Sequence, residues 1–163
     1  VEETMKKLKI YLDTSIINFL FADDAKDYKM VTEEFFNRYL DKYEVFISEI
    51  VYLEINRTRD QSRKRQLLDA IEKFQLEVYD SLNEEIESLA NTYIINNIIP
   101  QNKTEDALHV AFCVFYDFDV LLSWNFKHLA NIRKQAQINS LNKTLGYFKE
   151  LNLLNPMEVF FDD

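Results

Sequence analysis

One glycine, Gly146, stands in 163 residues, and that scarcity removes whole classes of function at once. No Walker loop and no GxGxxG dinucleotide turn can be written without glycines at fixed spacing. Cysteine is as scarce: Cys113 alone forms no internal disulfide. Cationic side chains are outnumbered, 19 Lys and Arg against 28 Asp and Glu, for a net charge of −9. Such a chain does not coat nucleic acid by bulk attraction, although a local basic strip or a cation-holding acid cluster remains compatible with it. Long apolar runs are missing too. ALHVAFCVF falls far short of the ~20 residues that a membrane span requires. With no signal-peptide pattern, a cytoplasmic protein with no membrane partner is expected. The first methionine is Met5, and residues 1–4 are set aside from fold reasoning.

What is present reads as one globular domain over 1–163, with no Pro/Gly/Ser-rich break and enough length to bury about 70% of the unfolded surface. Hydrophobic residues make up 47% of the chain, and 13 Phe and 9 Tyr leave apolar area to spare for a subunit interface.

Short apolar segments at 8–12, 43–47, 76–79, 119–122 and 151–154 read as strands. Helical periodicity fills 14–21, 27–41, 48–58, 61–74, 83–98, 104–116 and 127–145. Alternation of this kind predicts a three-layer α/β/α sandwich around a mainly parallel sheet of four to five strands. Pro100 is expected to close one helix, Thr104 to cap the next, and Gly146 to end the last.

Sites in open α/β sheets form beyond the carboxyl ends of the strands. KIYLDTSIINFL puts Asp13 at such an end, where it serves equally as a helix N-cap or as a functional acid. In ISEIVYLEINR, Ser48 is a plausible cap and Ile50, Val51 and Leu53 open a buried stripe. Glu54 is i+4 from Ile50 and therefore on or beside that stripe, where a carboxylate needs a partner, a cation or a raised pKa. An edge position with a snorkelling stem is the plainer alternative. Asp106 in TEDALHVAFCVF lies near the apolar face through Val110, or else serves only the helix dipole. After DVLL comes SWNFKHL, which places Ser123 and Asn125 at another strand end, with a turn as the other use of Asn125.

These four stretches in this order resemble the PIN-domain family, which includes toxin nucleases of the VapC type. The resemblance runs from residue 8 to about 131. It implies that Asp13, Glu54 and Asp106 are catalytic acids holding Mg²⁺ or Mn²⁺ for hydrolysis of RNA phosphodiester bonds. Ser15 and Ser123 would match the family's supporting hydroxyls. Asn125 stands where many members carry a fourth acid, so it is a weak ligand and a second tightly held metal is in doubt. The resemblance also implies a homodimer and, in a toxin pair, an antitoxin partner.

INRTRDQSRKRQ concentrates Arg57, Arg59, Arg63, Lys64 and Arg65, a candidate phosphate strip or a solvated helix face. Lys127, with His128, Arg133 and Lys134, forms a thinner second strip. His109 and Cys113 share a helix face at i and i+4, yet Cys113 sits in AFCVF and reads as core. The DTS at 13–15 has the look of an aspartyl phosphotransferase, but Ser15 stands where that chemistry wants a second acid. A catalytically weak or inactive PIN-like module that binds RNA or protein is the competing class. A structure-specific DNA nuclease fits less well, for want of any helical arch or DNA-binding appendage.

Overall fold

The computed structural model describes residues 6–160. The N-terminal residues set aside above therefore lie outside the described residues.

Five strands form one parallel sheet in the order β3-β2-β1-β4-β5. They are β1 (Lys9–Leu12), β2 (Glu44–Ile47), β3 (Glu77–Val78), β4 (Val120–Leu122) and β5 (Asn152–Leu154). Seven α-helices connect them: α1 (Thr14–Asn18), α2 (Lys26–Glu34), α3 (Glu49–Asn56), α4 (Gln61–Lys73), α5 (Glu84–Ile95), α6 (Thr104–Phe115) and α7 (Ile132–Thr144). The expected α/β/α sandwich is what forms.

Alternation along β1 and β4 divides the core in two. Ile10, Leu12, Val120 and Leu122 face α1, α2 and α4, whereas Tyr11 and Leu121 face α5, α6 and α7. Helix α3 contributes to both cores, Ile50 to one and Val51 and Ile55 to the other. The chain winds outward from β1 through β2 to β3, then returns across the sheet to β4 and β5. The covering helices change face with this reversal, as a constant crossover hand requires. Beyond the carboxyl ends of β1 and β4 the connections therefore part, the topology at which open α/β sheets place their sites.

Several local expectations shift. The helix expected over 27–41 opens into a π turn at Phe35–Tyr39, which brings Phe35, Phe36 and Tyr39 all into the core. The expected 127–145 helix starts only at Ile132, because Asn131 caps it with a bond from the Lys134 N–H at 2.8 Å. Thr104 is the first residue of α6 and not its cap; its Oγ1 donates back to the Gln101 carbonyl at 3.3 Å. Helix α5 ends at Ile95, and Asn97 at φ 58° turns the chain before Pro100. Leu53 is half exposed instead of joining the stripe of Ile50 and Val51. Gly146 does follow the last helix, at φ 92°, the left-handed conformation that favours glycine.

Candidate functional site

Asp13 occupies the switch point. Its backbone N–H donates to the Leu122 carbonyl at 3.2 Å, extending the β1–β4 pairing by one residue. Its carboxylate then caps α1, with Oδ1 accepting from the Ser15 N–H at 3.0 Å and the Ser15 hydroxyl at 2.5 Å. The cap and the functional position are thus one residue. Asp13 is only 3% exposed, and burial lifts its pKa to about 6 against the countering pull of His109, Ser123 and Ser15.

Ser15 and Ser123 link the two strand ends. Their hydroxyls lie 3.4 Å apart; Ser15 Oγ also accepts from the Trp124 N–H at 2.9 Å, and Ser123 Oγ from the Asn125 N–H at 2.9 Å. Asn125 uses both ends of its amide. Oδ1 accepts from the His128 N–H at 3.1 Å, which closes a turn, and Nδ2 donates to Asp106 Oδ2 at 3.1 Å. The turn role and the site role coexist, with the carbonyl oxygen engaged inward to the loop.

Glu54 is held from two sides by one oxygen. Thr14 Oγ1 donates to Oε1 at 2.8 Å, and His109 Nε2 meets the same Oε1 at 2.5 Å. Among the described residues nothing donates to Oε2, which leaves one oxygen of an oriented carboxylate for a ligand. Burial works against the ionised form, but His109 and Thr14 outweigh it, so the Glu54 pKa falls below its ordinary value.

His109, which pattern reading weighed only beside Cys113, belongs with the acids. It is 1% exposed, and its Nδ1 lies 2.5 Å from the Tyr11 hydroxyl, which lies 2.7 Å from Ser48 Oγ. This line accommodates either charge state: a neutral ring accepts the phenol proton, while an imidazolium donates to the phenol and the phenol to Ser48. Burial disfavours the imidazolium, yet Glu54, Asp13 and Asp106 together raise the His109 pKa. The available signal was Asp106 and His109 at i and i+3 on one helix. Cys113 is a buried free thiol, as expected, and His109 pairs with Glu54.

Asp106 completes the arrangement from the first turn of α6. Burial raises its pKa, opposed by His109 and reinforced by the charge of Glu54. Asp13, Glu54 and Asp106 thus all act on one buried imidazole. Their hard oxygen donors suit Mg²⁺ or Mn²⁺. Among the described residues no three Asp, Glu, His or Cys groups stand close enough to enclose an ion. A cation here would retain several waters, which is the habit of Mg²⁺ in particular.

The cationic strip is distributed differently from its sequence. Arg57, at the end of α3, pairs with Glu105 and acts electrostatically on Glu54, at the edge of the site. Arg63 braces the backbone, donating to the carbonyls of Phe21 at 2.9 Å and Asn18 at 3.4 Å. Arg65 lies 3.5 Å from Asp69 on the outer face of α4; Lys64 sits on the same helix and Arg59 is exposed just before it. Lys127 is exposed beside Asn125, and Lys127, Lys103 and Lys134 all act on His128, whose pKa burial and these charges lower.

The sheet is parallel and doubly wound, with Asp13 at its switch point and with Asp13, Glu54 and Asp106 all acting on His109. The PIN domain family profile matches residues 10–133. The chain belongs to the PIN domain family, whose members are generally nucleases that use divalent metals. A chain in the crystal structure of VapBC2 from Rickettsia felis, bound to a DNA fragment from their promoter, shares the fold with a TM-score of 0.50 and 14% identity. The match covers 72% of this chain and 88% of that one. A comparison with curated proteins found no match. Among the described residues no helix is long and apolar enough to cross a membrane.

Proposed function

We propose that this protein is an endoribonuclease that hydrolyses RNA phosphodiester bonds with a Mg²⁺ or Mn²⁺ ion held through Asp13, Glu54 and Asp106. The observation that carries this reading is that buried His109 meets Glu54 directly while Asp13 and Asp106 act on the same imidazole, beside the point where the sheet changes winding direction. Asp106 raises the pKa of Asp13 and Glu54 raises that of Asp106, a repulsion that a bound cation would relieve. When bound, such an ion would acidify water and offset charge on the phosphate.

The chain's own residues divide the remaining work. Glu54, fixed through Oε1, presents Oε2. Ser15 holds Asp13 in place, and Asn125 holds Asp106. Asn125 adds no charge, and its carbonyl oxygen is engaged by the loop, so one firm ion is the expected stoichiometry in the absence of RNA. Lys127, two residues after Asn125, and Lys103, three residues before Asp106, are the cations assigned to backbone phosphates.

The likeness in fold to a VapBC2 chain supports reading this protein as the toxin of a toxin–antitoxin pair, and an antitoxin would then be expected to cover the candidate site. The exposed Met30, Leu53, Ile95, Ile132 and Phe148 offer apolar surface for that partner or for a homodimer. The whole is read as one cytoplasmic domain.

Cleavage of a mixed RNA pool in Mn²⁺, Mg²⁺ and EDTA, with Asp106→Asn run alongside, tests the reading. Cutting that needs metal and disappears in the variant is expected. Equal cutting by the variant would refute it. If Mn²⁺ neither supports cutting nor raises the melting temperature, the reading moves to a binding module without turnover.

A further inference from the structure

The candidate acids leave unused a group of aromatic rings around the loop that follows β4. Trp124 lies in the loop between Ser123 and Asn125, 4% exposed, with its Nε1 donating to Thr32 Oγ1 at 2.8 Å. Around this fixed ring, Tyr28 of α2 lies at 4.8 Å, Phe19 at 5.7 Å and Phe126 at 5.8 Å between centroids. Phe19 and Trp124 form the base of the group. Tyr28 and Phe126 form its outer layer, 39% and 40% exposed, with centroids 6.0 Å apart and planes inclined at 50°.

Two hydrogen bonds tie these rings to the carboxylates. The Trp124 N–H donates to Ser15 Oγ, the hydroxyl that itself donates to Asp13. Asn125, which donates to Asp106, immediately precedes Phe126. Lys127 follows directly, so a ring and a cation occur within one short loop that is hydrogen-bonded to Asp106 and to Ser15, the partner of Asp13. That is the combination by which single strands are held: aromatic faces for bases and cations for the backbone.

We infer that Tyr28 and Phe126 form a stacking platform for one unpaired nucleobase of the RNA being cut, a reading that rests on the nuclease assignment above. The inclination of the rings sets the mode of binding. A flat base lies against one ring and meets the other at its edge, so a single base is gripped and not a run of stacked bases. A base inside a duplex has both faces covered by its neighbours and cannot be received. Stacking reads no hydrogen-bond edge, so the platform selects for strandedness more than for sequence.

The sole tryptophan of the chain contacts both outer rings, so its fluorescence reports occupancy. In the Asp106→Asn protein, which leaves RNA uncut, a mixed-sequence single strand of about ten nucleotides should quench Trp124 and bind about tenfold more tightly than the same RNA as a duplex. Tyr28→Leu combined with Phe126→Leu should weaken binding by tenfold or more and leave its salt dependence unchanged, because no charge is removed. Tyr28→Phe and Phe126→Tyr should retain both affinity and quenching, which separates lost stacking from a disturbed fold. Equal affinity for single strand and duplex, or an unaltered affinity in the folded double variant, would overturn the platform. Absence of single-strand binding with the rings intact would also overturn it and leave the rings to a protein partner. Cleavage of the same RNA by the parent chain in Mn²⁺ is read separately. Cutting indifferent to the rings sinks the platform and spares the nuclease; ring-dependent binding without cutting does the reverse.

Discussion

Replacing Asp13 with asparagine should make the metal-free protein more stable, and by an amount that depends on pH. Burial raises the Asp13 pKa from an ordinary 3.8 to about 6. Between those values the folded state holds a proton that the unfolded chain has released, so stability falls as pH rises through this window and levels off above it. At about 1.4 kcal/mol per pH unit the loss amounts to about 3 kcal/mol. The amide of the substituted side chain would keep an oxygen for the Ser15 N–H and hydroxyl but carries no charge to bury. Asp13→Asn is therefore expected to match the parent near pH 4 and to exceed it by about 3 kcal/mol at pH 8. For a chain of this length that is about 6–12 °C in melting temperature. The assay is urea or thermal denaturation in EDTA at half-unit pH steps, read as the difference between the two proteins. That difference isolates Asp13 from Glu54, whose lowered pKa removes stability only as pH falls below 4.5. His109 is coupled to Asp13: its raised pKa removes stability as pH rises above 6.5, and Asp13→Asn takes away part of that rise. Saturating Mn²⁺ should invert the order, stabilising the parent and not the variant. A variant destabilised equally at pH 4 and pH 8 would refute the argument.

His109→Gln removes one of the two groups that orient Glu54, and Mn²⁺ affinity by calorimetry should fall about 10- to 100-fold; unchanged affinity would reduce the imidazole to packing. Asn125→Asp replaces a donor to Asp106 with a like charge, so the metal-free melting temperature should drop while the number of Mn²⁺ ions bound rises above one. Arg63→Ala should cost about 1–2 kcal/mol in urea denaturation through its bonds to the Asn18 and Phe21 carbonyls, whereas Lys64→Ala and Arg65→Ala should leave stability unchanged; three equal effects would contradict the structure.

Apolar runs that end on polar residues were sufficient to read the layers of the fold, because strands buried on both faces admit little else. Helix limits were less legible wherever asparagine side chains bond to the backbone. Asn125 and Asn131 do so in a segment whose apolar spacing alone continues the helix. Asp13 stood out at a strand end and Glu54 and Asp106 beside apolar helix faces, and in the folded chain all three act on His109. His109 gave only a faint local sign, since its partners Glu54 and Tyr11 lie 55 and 98 residues away. Arg63 belonged to a basic run in the sequence, but only the packing of α4 against α1 reveals that it serves the backbone.

Strand β1 feeds the site twice. It ends on Asp13, and one of its inner residues, Tyr11, points to the opposite face from Ile10 and Leu12 and supports His109 beneath Glu54. A slip of one residue in its alignment with β2 and β4 would put an aliphatic side chain under the imidazole and move the carboxylate off the strand end. Insertion or deletion of a single residue within 9–12 is thus a double lesion. Misregistered copies of the chain, however compact, would hold neither Asp13 at the strand end nor Tyr11 under His109, so one pairing error during folding removes both supports of the candidate site.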